Sequence, residues 1–152
     1  MYYKAKVKDF IRLPPEQFGK DLDEALVNEV KQKYDGYISK ELGLVIDVEK
    51  IYEVGEVIII PGDGASYFET TFELITFIPE LQEVTYGTIK DIADFGAFIN
   101  LGPMDGMIHI SQAMNDFVSF AKDKTLGGKE TKRTLHVNDV CKARIIAVSY
   151  KD

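Results

Sequence analysis

The sequence is poor in cysteine, the residue that forms disulfide bonds and thiolate metal clusters. Its 152 residues contain one cysteine, so an internal disulfide and a metal site built on several thiolates are both excluded. No apolar run approaches the about 20 residues that a membrane-spanning helix needs, and residues 1–4 lack the apolar segment of a signal peptide. These absences predict a cytoplasmic protein without a membrane partner.

Positive charge is also scarce, so a surface that binds nucleic acid could only be a local one. The chain has 18 Lys and Arg against 25 Asp and Glu, a formal net charge of -7 at pH 7. Residues 1–81 hold 9 basic and 16 acidic residues, whereas residues 82–152 hold 9 of each. The acidic first half suits protein docking or is simply a solvated surface. We expect any RNA affinity to come from the second half and to be modest, because few phosphates can be neutralised there.

Residues 83–115 are predicted to form three short strands, because apolar residues recur there with the period of a half-buried strand. The inward positions are Ile89, Ile92, Ala97, Ile99, Leu101, Ile108 and Ile110. This alternation exposes Phe98 and His109, and Phe95 lies at a turn from which it reaches the same face. Exposed rings of this kind can stack unpaired bases, at about 1–3 kcal/mol per base. The alternative is ordinary packing at a sheet edge.

The same stretch resembles the S1-type OB domain, a small all-β barrel. The matching segments are Gly87, Phe95–Phe98, Gly106–Ser111 and Val137–Val140. The resemblance implies an OB barrel over residues 82–152 in which Phe95, Phe98 and His109 face single-stranded RNA, although many copies of this fold serve protein docking. That family's barrel ends with a further basic strand. Since this chain stops at Asp152, we expect the last strand of the barrel to be missing.

Basic residues accompany the aromatic ones, and Lys90, Lys142 and Arg144 are the predicted phosphate partners. Lys142 and Arg144 face one way along a strand predicted over residues 140–149, and Cys141 on the other side is predicted to be a buried thiol. A long loop is predicted to carry Lys122, Lys124, Lys129, Lys132 and Arg133. This loop is either an electrostatic guide for an RNA backbone or a mobile solvated segment.

Residues 1–81 are predicted to form an α+β domain with one helix on an antiparallel sheet. The helix begins after the capping residue Asp21 and buries a stripe of apolar residues that starts at Leu22, and Gly36 ends it. Strands are predicted over residues 2–13, 44–54, 56–61 and 67–78. Residues 62–64 are interpreted as a turn, since they lack the glycine spacing and the following lysine of a phosphate-binding loop.

The order of motifs along the whole chain resembles that of the E-prime subunits of archaeal RNA polymerase, a family similar to the seventh subunit of eukaryotic RNA polymerase II. The segments are Leu13–Lys20, Leu42–Val45, Gly62–Tyr67, Pro79–Glu83 and Asn100–Gly106. The resemblance implies a stalk subunit that docks on the polymerase core near the clamp, forms a heterodimer with a smaller helical stalk partner, called F, and binds emerging single-stranded RNA. The docking loops it implies contain Pro14, Pro15, Phe18 and Gly19, and Gly62, Asp63 and Gly64.

Two other classes of function compete with this one. An OB-fold factor in translation or RNA decay would carry a different domain beside the OB module. An enzyme would need a base and a nucleophile, but the only histidines are His109 and His136 and no serine or cysteine lies in a recognisable catalytic motif. We therefore expect no intrinsic activity, no catalytic residue, no metal and no cofactor, although the polymerase itself is a nucleotidyltransferase.

Overall fold

The computed structural model of the chain describes residues 1–150, whose contacts define two units: Met1–Pro79 together with Ser149 and Tyr150, and Glu80–Val148. The first unit is a four-stranded antiparallel sheet with the order β1-β4-β3-β2 and one helix. Its elements are β1 (Tyr2–Leu13), a 3-10 turn (Pro15–Gln17), α1 (Leu22–Tyr34), β2 (Ile38–Ser39), β3 (Gly43–Ile59) and β4 (Ser66–Phe77). The predicted α+β architecture is therefore confirmed.

Helix α1 forms for the reasons that the sequence indicates, with one correction. The Asp21 carboxylate caps it by accepting the Glu24 N–H at 3.2 Å, and Gly36 follows the helix with φ +67. The buried face consists of Ala25, Leu26, Val30 and Tyr34. Leu22, the predicted start of this face, is 39% exposed. The buried face therefore starts at Ala25, three residues later than predicted.

The two strands predicted over residues 44–54 and 56–61 are one strand, β3. Its pairing with β4 shifts register after Val45, Val48, Ile51 and Val54. Each shift inserts one extra residue, so apolar residues spaced three apart all return to the same side of the sheet. Val45 and Val48 are buried in the core beneath α1, and Ile51 and Val54 pack against it. The prediction is wrong because strict alternation cannot describe a strand with repeated bulges.

The second unit contains two antiparallel sheets, with the orders β11-β5-β6-β7 and β10-β9-β8. The strands are β5 (Val84–Ala93), β6 (Gly96–Asn100), β7 (Asp105–His109), β8 (Val118–Ala121), β9 (Thr125–Gly128), β10 (Thr134–His136) and β11 (Val140–Arg144), with a 3-10 turn at Ile110–Gln112. The core consists of Ile89, Ile92, Ala97, Ile99 and Leu126. This arrangement confirms the predicted OB-type all-β unit.

The basic segment predicted to be a long loop is the small sheet β8–β10, and the predicted strand over residues 140–149 ends at Arg144. The Asp116 carboxylate holds the turn between β9 and β10, because it accepts the N–H groups of Glu130 and Thr131 at 2.8 and 2.9 Å. Leu126 anchors β9 in the core. The basic residues lie in the turns between these strands, and strands of three or four residues are too short to show a period in the sequence.

Candidate nucleic-acid interface

The predicted aromatic residues lie together on the outer face of the sheet β11-β5-β6-β7. Phe98 on β6 pairs across the sheet with Met107, and His109 on β7 pairs with Gly96. The Phe95 and Phe98 rings meet edge to face, with centroids 5.8 Å apart and planes at 86°. Phe95 is 44% exposed, whereas Phe98 is half-buried and less exposed than alternation predicts. Phe95 therefore offers the more open ring, and Phe98 supports it.

Gly96 makes this cluster possible because it lets β6 and β7 approach closely. Its φ is +154, and a Cβ built on it would lie 2.0 Å from the carbonyl oxygen of Ile108. At the same end, the Ile110 N–H donates to the carbonyl oxygen of Phe95 at 2.9 Å. The turn that carries Phe95 is thus fixed to the end of β7 that carries His109.

The His109 ring is held by the residue that follows it by two. Its Nδ1 accepts the backbone N–H of Ser111 at 3.2 Å and lies 2.7 Å from the Ser111 hydroxyl oxygen. A nitrogen that accepts a hydrogen bond carries no proton, so the neutral ring has its proton on Nε2. The exposed edge of His109 is consequently a donor, suited to a base carbonyl or a phosphate oxygen.

The three predicted phosphate partners differ in how free their charge is. The Lys90 ammonium lies 2.8 Å from Oδ2 of Asp105, and this hydrogen bond raises the pKa of Lys90. Lys142 lies over the ring of Tyr86, 5.9 Å from its centroid. Neither Lys142 nor Arg144 forms an ion pair with any carboxylate in residues 1–150. All three cations lie on this sheet, but the unpaired ones are those on β11.

Two exposed side chains of this face are absent from the predicted site. Tyr86 on β5 is 69% exposed, and Met107 on β7 is 53% exposed. Tyr86 has a signal in the sequence, since it alternates with Gly87 and with the inward Ile89. On the opposite side of β11, Cys141 is half-buried rather than fully buried, and this burial raises the pKa of its thiol.

A second candidate surface lies in the first unit, where the two predicted docking loops meet. Leu13 pairs with Ser66, so the chain after β1 and the chain before β4 leave the sheet at the same end. A Cβ on Gly64 would lie 3.4 Å from Cγ of Pro15. Exposed apolar residues surround this end: Phe18 (49%), Val57 (49%), Ile58 (42%), Ile59 (72%) and Ile60 (46%). We call these five residues with residues 14–19 and 62–64 the loop end. Its exposed apolar area is typical of a protein-binding surface.

Asp63 organises the loop end. Its carboxylate accepts hydrogen bonds from the Arg12 guanidinium at 3.1 Å, the Tyr67 hydroxyl at 2.8 Å and the Ala65 N–H at 3.0 Å. Gly62 precedes it with φ +89, and the Asp63 N–H donates to the carbonyl oxygen of Ile60 at 3.1 Å. The turn interpretation of residues 62–64 is confirmed, since the hydrogen bond from the Asp63 N–H to the Ile60 carbonyl closes a turn with Gly62 at positive φ.

Replacing Asp63 with asparagine should remove a pH-dependent part of the stability. The hydrogen bonds from Arg12, Ala65 and Tyr67 hold the pKa of Asp63 well below its ordinary value of 3.8. Because the folded pKa lies below the unfolded one, the carboxylate stabilises the fold above about pH 4 and loses this effect as the pH falls further. We expect Asp63→Asn to be less stable than the wild type at pH 7, with the difference shrinking towards pH 2.

Urea denaturation at a series of pH values would measure this difference. Asp35→Asn, at an exposed position after α1, serves as the control and should unfold like the wild type. A stability difference for Asp63→Asn that stays constant from pH 7 to pH 2 would contradict the assignment.

Other kinds of site have no counterpart in the described residues. In that part of the chain, no cluster of three or more His, Cys, Asp or Glu side chains could hold a metal ion. Among residues 1–150 there is also no helix with the length and apolar character needed to cross a membrane. The predicted site residues lie on two surfaces, the outer face of the sheet and the loop end.

Comparisons with known proteins give both units a family. Residues 8–64 match the SHS2 domain found in the N terminus of Rpb7p/Rpc25p/MJ0397, and residues 78–152 match the S1 RNA binding domain. The DNA-directed RNA polymerase subunit Rpo7 of Saccharolobus solfataricus is 40% identical over 152 residues, which cover 98% of this chain and 83% of that protein. Rpo7 of Sulfolobus acidocaldarius is 33% identical over a match that covers 98% of this chain and 82% of that protein. The DNA-directed RNA polymerase III subunit RPC8 of Saccharomyces cerevisiae is 32% identical over a match that covers 75% of this chain and 54% of that protein.

Proposed function

Since this chain belongs to the family of Rpo7 subunits of DNA-directed RNA polymerase, we propose that it is a non-catalytic stalk subunit. In this proposal the loop end docks on the polymerase core near the clamp, and the outer face of the second unit holds emerging single-stranded RNA. The observation that carries the RNA part is the exposed cluster of Phe95, Phe98 and His109 on an S1-type sheet. The polymerase complex supplies the nucleotidyl transfer.

The RNA face acts by stacking and by charge rather than by reading a sequence. Phe95 presents a ring to a base, and every base has a flat face that can stack on it. The Nε2–H of His109 can donate to an oxygen of the same nucleotide, and Lys142 and Arg144 attract the backbone. We expect weak binding, because only these two cations are available to neutralise phosphates. The logarithm of the association constant should fall by about 1.4 for each tenfold increase in salt concentration, about 0.7 for each phosphate.

Docking of the first unit is supported by the apolar side chains at the loop end. Ile59 is 72% exposed and Phe18 is 49% exposed, beside a turn that Asp63 holds rigid. A preorganised turn loses little conformational freedom on binding, so more of its contact energy contributes to affinity. The pairing with the smaller helical stalk partner rests on the motif resemblance and on a separate exposed group at the other end of β3, formed by Tyr37, Ile38 and Ile46.

The alternative function, an OB-fold RNA-binding factor in translation or RNA decay, is not favoured. Such a factor would place a different domain beside its OB module. Here residues 8–64 match an SHS2 domain whose description refers to Rpb7p and Rpc25p. Purification of the tagged chain from its source organism separates the two functions: polymerase subunits should accompany it, whereas recovery of ribosomal or exonuclease proteins alone would overturn the proposal.

Replacing Phe98 with alanine should weaken RNA binding about 5- to 140-fold, since one stacked base is worth about 1–3 kcal/mol. The substitution removes the Phe98 ring and also the edge-to-face contact that holds the Phe95 ring in place. Fluorescence anisotropy with a labelled oligouridylate of about ten nucleotides, within the range one OB fold covers, would measure the dissociation constant. Phe117→Ala is the matched control, because Phe117 is 77% exposed and precedes β8, outside this sheet. Equal weakening by both substitutions would contradict a role for the Phe95–Phe98 pair.

A further inference from the structure

Tyr86 lies on the same outer sheet face as Phe98, towards the opposite end of the sheet. Thr88 on β5 pairs with Asn100 on β6, and these residues share the outer face. Tyr86 is two residues from Thr88, and Phe98 is two residues from Asn100 in the opposite direction. Side chains two apart on a strand point the same way, so Tyr86 and Phe98 are separated by four steps, about 13 Å along the strands.

The unpaired positive charge of this face is concentrated at the Tyr86 end. Lys142 pairs with Tyr86 across the sheet and lies over its ring, and Arg144 pairs with Val84 on the same side. Both cations are exposed, and neither forms an ion pair with a carboxylate that the structure describes. An exposed ring with one cation beside it and a second cation two residues further along the strand is a combination that binds single-stranded nucleic acid.

The middle of the face is electrically different. There Lys90 pairs with Asp105 at 2.8 Å. Beside Phe98, the carboxylate of its cross-strand neighbour Asp91 pairs with Lys124 at 3.0 Å. These ion pairs leave little net charge in the middle of the face and beside Phe98. An RNA strand held only at Phe95, Phe98 and His109 would therefore leave Lys142 and Arg144 without phosphates to neutralise.

We propose that Tyr86 is a second base-stacking platform for the same RNA strand, with Lys142 and Arg144 binding the phosphates next to it. The sheet then holds several nucleotides, running from His109 at one end to Arg144 at the other. A span of this length agrees with the about 4 or more nucleotides that an OB fold covers. The inference rests on the proposed function, because it extends the same RNA site.

Exposed apolar residues near Tyr86 also allow a protein to bind there. Val84 is 43% exposed and Val140 is 72% exposed. RNA is favoured over a protein surface because the two charged side chains placed at this end of the face, Lys142 and Arg144, are both cations and form no ion pair with a carboxylate that the structure describes. A polyanion neutralises both at once, whereas an ordinary protein surface would need two suitably placed carboxylates.

The dependence of affinity on RNA length tests the inference. Oligouridylates of three and eight nucleotides would be titrated against the wild type, Tyr86→Ala, Tyr86→Phe and Phe98→Ala in the full chain. We expect the octamer to bind the wild type more tightly than the trimer. Tyr86→Ala should weaken binding of the octamer about 5- to 140-fold and leave binding of the trimer nearly unchanged. Tyr86→Phe, which keeps the ring, should retain the octamer affinity, and Phe98→Ala should weaken both lengths.

The outcomes separate this inference from the function on which it rests. If Phe98→Ala weakens both oligomers and Tyr86→Ala binds the octamer like the wild type, the second platform does not exist but the RNA face does. If the wild type binds neither oligomer, the proposed RNA function itself fails, and the inference with it. If Tyr86→Ala leaves RNA binding intact but loses a polymerase subunit in a pull-down, the Tyr86 end is a protein interface and the inference is overturned.

Discussion

Replacing Gly96 with alanine is expected to destabilise the second unit by about 2–4 kcal/mol. The added Cβ would lie 2.0 Å from the carbonyl oxygen of Ile108, which is backbone and cannot rotate away. Strand β7 must therefore move from β6. Because His109 pairs with Gly96 and the Ile110 N–H binds the Phe95 carbonyl, this movement also disperses the aromatic cluster. The RNA affinity of Gly96→Ala should therefore be lower than that of Phe98→Ala.

Gly127→Ala is the matched control for this substitution. Gly127 also lies in a strand of the second unit, but a Cβ there meets no atom within 4 Å, and its φ is not positive. We expect Gly127→Ala to change the stability by less than about 1 kcal/mol, since only the backbone entropy of glycine is altered. Urea denaturation followed by circular dichroism would compare the two. Equal midpoints for Gly96→Ala and the wild type would show that β6 and β7 do not require this close approach.

Local signals in the sequence predict the structure correctly where the neighbours of a residue along the chain determine its conformation. The cap at Asp21 depends on the N–H of Glu24, three residues away, and the pattern of the two residue types predicts it. The Phe95 turn and the exposure of His109 follow in the same way from a short motif. The family resemblance predicts the two domain types in their order, and the matches to residues 8–64 and 78–152 confirm both.

Local signals fail where bulges or distant partners decide the structure. Valines and an isoleucine spaced three apart in β3 share one face only because β4 imposes a register shift between each pair. The same effect explains why Ile89 and Ile92 are both buried, since β5 shifts register between Ile89 and Asp91. No period of two or of 3.6 describes such strands, and β3 is for this reason predicted as two strands although it is one.

The charge of the outer face of the second unit is the least predictable part of the candidate site. Lys90 appears in the sequence as a free cation near an aromatic motif, but Asp105, fifteen residues later, lies within 2.8 Å of it. Such a pair depends on the register of β5, β6 and β7, which the sequence does not state. Tyr86, in contrast, is predictable from its alternation with Gly87 and Ile89. In the structure, the cations of this face that form no ion pair with a described carboxylate therefore lie near Tyr86 and not near Phe95.

Replacing Ile59 with aspartate should weaken binding to the polymerase core about 100-fold, the size of effect expected at the centre of an interface. Ile59 is 72% exposed at the loop end, and in the docked state its side chain would be buried against the core. An aspartate there would have to lose its hydration without gaining a partner, and this cost far exceeds the loss of apolar contact. Co-sedimentation of the labelled chain with core polymerase that lacks both this subunit and the smaller stalk partner would measure the affinity, so that pairing with the partner does not contribute to it.

Ile46→Asp gives the matched control, because Ile46 is an isoleucine of the same strand, 42% exposed, near its other end. We expect this variant to bind the core like the wild type and both variants to keep the wild-type affinity for RNA. Equal loss of core binding in the two variants would mean that docking is not confined to the loop end. Loss of RNA binding by Ile59→Asp alone would mean that the first unit contributes to the RNA site, which contradicts the division of functions between the two units. A selective loss of core binding supports that division, in which the loop end secures the subunit and leaves the outer face of the second unit free for RNA.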